Sequence, residues 1–287
     1  MTASTGKGLP APRMLRPFSK AETAYLTGGT QPAVSSVLTS SSKFLNSPLF
    51  RDAWAMTSLR RMGPDLPLNY CQPAMFRAVY DVIDPDEFCQ AVEAEKAGNP
   101  EFRDWLGARR IAHYDPAAMA HNAPGTLGAA IRDFLLNSGM KIEFRDQREI
   151  DNDVDYILIQ RAHTHDIQHI VTGYGANDLG ELALATATGA TDTGYFTPAL
   201  AHFLNLIPNF ICAARLMRSQ LHYPAAMPHV YDALADGIAL GKAVRLPLFM
   251  VDWEARLDQQ LDAIATDLGF TRRDDSHWRD LDHLSRG

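Results

Sequence analysis

Residues 153 to 190 read DVDYILIQRAHTHDIQHIVTGYGANDLGELALATATGA, and their pattern is the clearest indication of the fold class. Apolar residues recur at helical spacing before the first glycine, so residues 153–172 are predicted to form one helix. Gly173 ends that helix, because glycine readily adopts the left-handed conformation that follows a helix C-terminus. A second helix is predicted to begin near Asn177 and to continue into the Ala- and Thr-rich part of the stretch.

Helical patterns continue on both sides of this stretch. Further helices are predicted at residues 48–61, 73–95 with an interruption at Asp84-Pro85, 101–110, 123–139, 198–220 with a break at Pro208, 228–242 and 252–268. The single strand candidate is residues 243–251, where Pro247 argues against a place inside a sheet. We therefore predict an all-α fold built as a single helical domain.

The N-terminal segment differs in composition from the rest of the chain. Its first 20 residues contain no acidic residue and lack the apolar core of a secretory signal. Three prolines between residues 10 and 17 would interrupt an amphipathic targeting helix. A Ser-rich run, SSVLTSSS, then occupies residues 35–42. We predict a flexible N-terminal segment over residues 1–42 and the helical domain over residues 43–287.

The charge balance argues against a nucleic-acid partner, and the hydropathy pattern argues against a membrane-spanning helix. The chain has 27 Lys and Arg residues against 34 Asp and Glu residues, a formal net charge of −7. Nucleic-acid binding needs a basic face that displaces counterions, so no nucleic-acid partner is predicted. No uninterrupted apolar run approaches the ~20 residues of a membrane-spanning helix. The apolar stretch 198–217 is better interpreted as core helices broken at Pro208 than as a membrane-dipping segment or a lipid tunnel.

Four side chains of the opening stretch are spaced to share a metal ion. Because each helical residue advances by about 100°, His165, Asp166 and His169 project into an arc of about 100°. Glu181 falls in the first turn or so of the next helix, where it can face them. Two imidazoles and two carboxylates are typical ligands of Zn, Fe or Mn. The alternatives are that Glu181 completes a capping box with Asp178 and that Asp166 pairs with a nearby arginine.

Arg161 is a candidate substrate-binding residue. It lies one helical turn before His165, on the side of the predicted metal site. Its guanidinium could bind a substrate carboxylate through two parallel hydrogen bonds. A salt bridge to Asp166 and a plain surface position are equally favoured. No catalytic residue is predicted beyond the metal site itself.

The motif formed by the four predicted ligands resembles the signature of a known family. The pattern His165-Asp166-x-x-His169, eleven residues and then Glu181 is that of the Coq-four family of coenzyme Q (ubiquinone) biosynthesis proteins. The flanking sequences YILIQR and NDLGE also resemble this family, as do APGTLG with DFL upstream and WEARLDQQLDAIATDLGF downstream. The resemblance spans about residues 120–270.

The resemblance implies a function, a set of partners and a location. It implies an all-helical, membrane-associated protein in which the four residues hold one divalent ion, zinc by family resemblance, with iron and manganese as alternatives. The implied reaction is the oxidative removal of the carboxyl group at ring carbon one of a prenylated 4-hydroxybenzoate intermediate. The implied partners are a prenylated aromatic lipid, a membrane surface and other quinone-biosynthesis proteins, in a homo-oligomer. The implied location is peripheral on the cytoplasmic face of the inner membrane, or on the mitochondrial matrix side in a eukaryote.

Two other functions compete with this interpretation. The first is a non-catalytic scaffold that binds a prenyl lipid and organises a quinone-biosynthesis complex. The second is an HD-type phosphohydrolase, which needs a further upstream histidine and a downstream aspartate. His113, His121 and Asp192 are the candidates for those ligands, but this class does not account for the spacing of His169 and Glu181.

Overall fold

The computed structural model of the chain describes residues 19–21, 24, 41–61, 72–138, 150–274 and 276–285. The chain divides into two units, Met1–Asn46 and Ser47–Gly287. Most of the predicted flexible segment lies outside the described residues, and the predicted boundary after residue 42 stays a prediction. The described part of the first unit includes a one-turn helix, Lys43–Asn46.

The second unit is all-α, as predicted. Its helices are α1 (Pro48–Leu59), α2 (Gln72–Val82), α3 (Pro85–Gly98), α4 (Pro100–Ala108), α5 (Leu127–Ser138), α6 (Asp153–His163), α7 (His165–Thr172), α8 (Asp178–Tyr195), α9 (Pro198–His222), α10 (Met227–Ala243), α11 (Leu261–Leu268) and α12 (Ser276–Asp280). No strand occurs in the described residues, where β-type pairing is limited to an isolated bridge between Thr126 and Gln260. The strand candidate at 243–251 is wrong, because Leu248–Met250 form a 3-10 turn there.

Three of these helices begin in the same way. A Ser, Asp or Asn side chain accepts a hydrogen bond from an N–H of the first turn, and proline takes the first helical position, in the pairs Ser47-Pro48, Asp84-Pro85 and Asn99-Pro100. Proline suits this position because its fixed φ fits the helix and its missing N–H would have no helical partner there. The local sequence therefore sets the starts of α1, α3 and α4, including the predicted interruption at Asp84-Pro85.

Helix α8 lies at the centre of the unit and packs most closely against α10. Two glycines of α10 permit the close approach: a Cβ at Gly237 would lie 2.4 Å from the Ala183 carbonyl oxygen, and one at Gly241 would lie 2.3 Å from that of Ala187. The surrounding core is apolar and includes Leu182, which is 1% exposed. This packing holds α8, the helix that carries Glu181, in a fixed position.

The predicted single helix over residues 153–172 is two helices, α6 and α7, joined at Thr164. Thr164 has φ −88° and ψ −5°, outside ideal helical geometry. Its hydroxyl donates a 2.7 Å hydrogen bond to the Gln160 carbonyl, the same oxygen that accepts its backbone N–H. A threonine that bonds back to the carbonyl four residues earlier often bends a helix. Thr186 and Thr191 make the same bond inside the continuous α8, so the bond accompanies the bend at Thr164 without being sufficient for it.

The predicted break at Pro208 is also wrong, since α9 continues through it from Pro198 to His222. Proline has no N–H, so the carbonyl of Leu204, four residues earlier, loses its helical donor. The guanidinium of Arg161 supplies a replacement, with Nη2 donating to the Leu204 oxygen at 3.1 Å. A side chain from α6 thereby satisfies the carbonyl that the proline leaves without a partner.

The helix predicted over residues 252–268 starts only at Leu261. The backbone before it is used by another helix instead: the carbonyls of Leu257 and Gln259 accept hydrogen bonds of 2.8 and 3.0 Å from the first two N–H groups of α5. Those N–H groups have no partner inside α5. The contact caps α5 and keeps residues 254–260 out of an α-helix.

Candidate metal centre

The loop between α7 and α8 brings the two ligand helices face to face. Gly173 ends α7 with φ 80°, in the left-handed region that favours glycine. Asn177 caps α8 by accepting a 2.8 Å hydrogen bond from the Gly180 N–H. A Cβ at Gly180 would lie 2.1 Å from the Gly175 carbonyl oxygen, so the loop closes tightly on the helix. Glu181 consequently points from the first turn of α8 towards α7.

Three of the four predicted ligands meet in one group. The ligand atoms of His165, His169 and Glu181 all lie within 4.8 Å of one another. The Nε2 atom of His165 is 3.7 Å from Glu181 Oε2, and that of His169 is 3.3 Å from Glu181 Oε1. The two imidazoles are 4.7 Å apart between ring centroids and stand at 75°. Two nitrogens and one carboxylate therefore converge on one point, as the helical spacing predicts.

Asp166, the fourth predicted ligand, takes a different position. Its Oδ1 atom lies 3.3 Å from Nδ1 of His165, the ring nitrogen that faces away from Glu181. A carboxylate in this position accepts the Nδ1 proton, which leaves the lone pair of the neutral ring on Nε2. In this arrangement Asp166 orients His165 towards the group.

The buried ring of His169 supplies the test of whether a cation fits here. Its Nδ1 donates a 2.8 Å hydrogen bond to the Tyr174 carbonyl, which can only accept. The neutral ring then carries a lone pair on Nε2, and this buried atom has no hydrogen-bond partner among the described residues. Two acceptors, Nε2 and the Glu181 carboxylate, face each other at 3.3 Å. Such a pair requires a proton or a metal ion between them, so the residues present fit a divalent cation.

The electrostatics of the group favour a positive charge beside Glu181, carried by a proton on His169 or by a cation. Burial on its own raises the pKa of the Glu181 carboxyl, but His169 and His165 outweigh it and hold that pKa well below its usual range. Burial lowers the pKa of His169, yet the neighbouring Glu181 more than offsets this and the pKa is raised. The site therefore keeps its carboxylate charged and favours positive charge beside it.

The structure directs Arg161 away from this group. Its Nη1 binds Asp192 at 2.7 Å, and its guanidinium lies over the Phe249 ring at 5.1 Å. Asp192 follows Glu181 by eleven residues on α8, about 16 Å along the helix axis. The sequence left open a salt bridge to Asp166 and a surface position for Arg161. The contacts of Arg161 with Asp192 and Phe249 fit neither interpretation. The sequence offered no signal for it, because Asp192 lies in the unremarkable Ala- and Thr-rich part of α8.

The geometry supports neither the capping box nor the phosphohydrolase. The Asp178 carboxylate lies 3.5 Å from both Arg215 and Arg218, and Asn177 rather than Asp178 caps α8. For the phosphohydrolase, His121 is an exposed residue 3.9 Å from Asp258, while Asp192 is bound to an arginine. In the part of the chain that the structure describes, the group that could hold an ion includes none of the three additional candidates.

Comparison with known proteins relates the chain to a family and to a solved structure. The sequence profile of the family described as "Coenzyme Q (ubiquinone) biosynthesis protein Coq4" matches residues 108–274, which include the whole candidate centre. The fold is similar to the crystal structure of a protein from Nostoc punctiforme PCC 73102 that is provisionally named a ubiquinone biosynthesis protein, with a TM-score of 0.54 and 19% sequence identity. That similarity covers 76% of this chain and 97% of the other. No curated protein matches the sequence.

Proposed function

Because the chain belongs to the Coq4 family of coenzyme Q (ubiquinone) biosynthesis proteins, we propose that it removes the carboxyl group at ring carbon one of a prenylated 4-hydroxybenzoate intermediate. The net reaction takes up one water, exchanges the ring carboxylate for a hydroxyl, and releases carbon dioxide, a proton and two electrons. An acceptor outside this chain takes up the two electrons. The observation that carries the proposal is the buried Nε2 of His169 facing the Glu181 carboxylate. A metal-dependent site needs such converging lone pairs.

The residues of the centre have separate roles in this proposal. His165, His169 and Glu181 hold one divalent ion, zinc or alternatively iron or manganese, and Asp166 either binds it or orients His165. A bound ion supplies Lewis acidity, worth several kcal/mol of charge stabilisation when a carbon–carbon bond breaks. The low exposure of His169 and Glu181, 8% and 15% at the side chain, limits the access of water.

A non-catalytic lipid scaffold is the second candidate, and one observation favours it. An open cavity of about 600 Å³ contains none of the four predicted ligands in its lining. Apolar residues such as Trp105, Leu246 and Met250 line it together with polar ones, which are Glu101, Asp252, Arg256, Gln259 and Asp267. A ligand bound there would be separate from the ion, which would then serve the stability of the fold. Lipid binding without chemistry is the expected behaviour of such a protein.

The substitution Glu181→Gln separates catalysis from scaffolding. It retains the shape of the side chain and removes one negative ligand, so the catalytic proposal predicts a folded protein with a large loss of substrate conversion. The measurement is conversion of a prenylated 4-hydroxybenzoate by cells or purified protein, with circular dichroism and thermal melts. The matched control is Glu93→Gln, since Glu93 is a 66% exposed side chain on α3. Folded Glu181→Gln protein that converts substrate like the wild type would leave the scaffold as the better account.

The substrate class also leads to a proposed location. A prenylated aromatic lipid is confined to membranes, so we propose that the protein binds a membrane surface peripherally, together with other quinone-biosynthesis proteins and as a homo-oligomer. The proposed face is the cytoplasmic side of an inner membrane, or the matrix side in mitochondria. These proposals rest on the family and on the chemistry of the substrate.

A further inference from the structure

The loop between the two ligand helices is held by residues from the C-terminal part of the chain. Tyr174, in the middle of this loop, is 1% exposed and stacks on Trp278 of α12, with 5.8 Å between ring centroids and 20° between planes. Its phenol donates a 2.7 Å hydrogen bond to Asp236 of α10. The carboxylate of Asp236 is in turn bound by Arg273, whose Nε lies 2.9 Å from both oxygens.

The backbone of the same C-terminal segment closes on the end of α7. The Arg273 N–H donates a 2.7 Å hydrogen bond to the carbonyl of Thr172, the last residue of α7, which has no donor within the helix. A Cβ added to Gly173 would lie 1.9 Å from the Arg273 carbonyl oxygen, so the two backbone segments are in direct contact. Any side chain at position 173 would push the loop and the C-terminal segment apart.

This anchored loop carries the atom that orients His169. The Tyr174 carbonyl accepts the Nδ1 proton of His169 at 2.8 Å and thereby selects the ring form with a lone pair on Nε2. The carbonyl can do this only while the loop keeps its position, and the phenol of the same residue ties that position to Asp236. Burial first, and the Asp236 carboxylate second, raise the pKa of the Tyr174 phenol, so it stays a hydrogen-bond donor.

We propose that Tyr174, Asp236 and Arg273 are positioning residues that fix the ring of His169 for metal binding. The chain of contacts runs from Arg273 through the Asp236 carboxylate to the Tyr174 phenol, and from the Tyr174 carbonyl to His169 Nδ1. Partners that orient a metal-binding histidine typically contribute about 10–100-fold to metal affinity. The inference rests on the proposed function in one respect, because it takes His169 to be a ligand.

The test compares two tyrosines of similar chemistry at different places. Tyr174→Phe removes the phenol oxygen and keeps the ring that stacks on Trp278. The matched control is Tyr195→Phe: Tyr195 also donates to a carboxylate, that of Glu101 at 2.6 Å, but it lies fourteen residues beyond Glu181, about 21 Å along α8. Zinc affinity is measured on the full chain by competition with a chromophoric chelator. Nitrogen NMR of histidine-labelled, metal-free protein reports the ring form of His169 at a pH where the imidazole is neutral.

The proposal predicts zinc affinity weakened by up to about 10-fold in Tyr174→Phe, which keeps the carbonyl but loosens its position, and unchanged in Tyr195→Phe. It also predicts that the metal-free wild type holds the Nδ1–H form of His169 and that Tyr174→Phe has a mixture of both ring forms. Arg273→Gln, which leaves Tyr174 intact, should change both readouts in the same direction.

Each other outcome decides a different part of the account. Equal affinity and an unchanged ring form in Tyr174→Phe would overturn the positioning role, as would equal weakening by both tyrosine variants, which indicates a general loss of stability. A wild type that binds no zinc or other divalent ion would overturn the proposed metal centre and, with it, the role in metal binding. A ring form that still changes in Tyr174→Phe would then leave only the orientation of His169 by Tyr174.

Discussion

At the scale of single residues, the Arg161 guanidinium donates hydrogen bonds to two buried acceptors. Asp192 is 1% exposed, and burial raises the pKa of its carboxyl, an effect that the Arg161 charge opposes. The Leu204 carbonyl, left without a donor by Pro208, is the second acceptor. A substrate carboxylate would have to compete with both. These contacts are better explained by a role of Arg161 in stabilising the fold than by binding of a substrate carboxylate.

The variant Arg161→Met tests this explanation. Breaking a buried ion pair by removing one partner typically costs about 3–5 kcal/mol, because the other charge stays buried without compensation. We expect Arg161→Met to lower the free energy of unfolding by about that amount, and a second change, Asp192→Asn, to recover a large part of it. Urea unfolding of both proteins measures the difference. Wild-type stability combined with weaker substrate binding would instead support binding of a substrate carboxylate by Arg161.

At the scale of helices, the sequence predicts which segments are helical better than where they bend. Periodicity located α1 to α5, α8 and α10 within a few residues. It missed the bend at Thr164 and placed a break at Pro208, because both depend on where carbonyl groups find their donors. The donor for Leu204 comes from Arg161, 43 residues earlier in the chain, and local sequence carries no information about such a contact.

Helix α9 is the element that bears on membrane association. With 25 residues and a mean hydropathy of 1.3 over its most apolar 18-residue window, it is long and apolar enough to cross a membrane by length and composition alone. Within the protein, 44% of that window is buried, and α9 packs against α8, α1 and α3. The sequence had suggested no spanning segment because it placed a break at Pro208, through which α9 continues.

Peripheral attachment predicts a simple result for membranes that contain this protein. An alkaline carbonate wash weakens electrostatic and surface contacts but leaves spanning helices in the bilayer. We expect the wash to release the protein, because leaving the core would expose the apolar face that α9 packs against α8. Retention in the washed membranes would show that α9 or another segment is inserted.

At the scale of the whole molecule, the candidate centre was only partly predictable. His165, His169 and Glu181 follow from helical spacing and from the motif, since both depend on residues close in sequence. The network of Tyr174, Asp236 and Arg273 could not be predicted, because its members are separated by 62 and 37 residues. They meet through the packing of α8 against α10 and the return of the C-terminal segment to the loop, which no local pattern encodes.

The central claim is that the chain binds one divalent ion through His165, His169 and Glu181. The most direct measurement is elemental analysis of purified wild type, His169→Ala and His202→Ala, where His202 is an exposed histidine on α9. The account predicts about one equivalent of metal in the wild type and in His202→Ala and little in His169→Ala, since loss of a ligand weakens the site strongly. Equal metal content in all three proteins, or none in the wild type after refolding with zinc, iron or manganese, would contradict it.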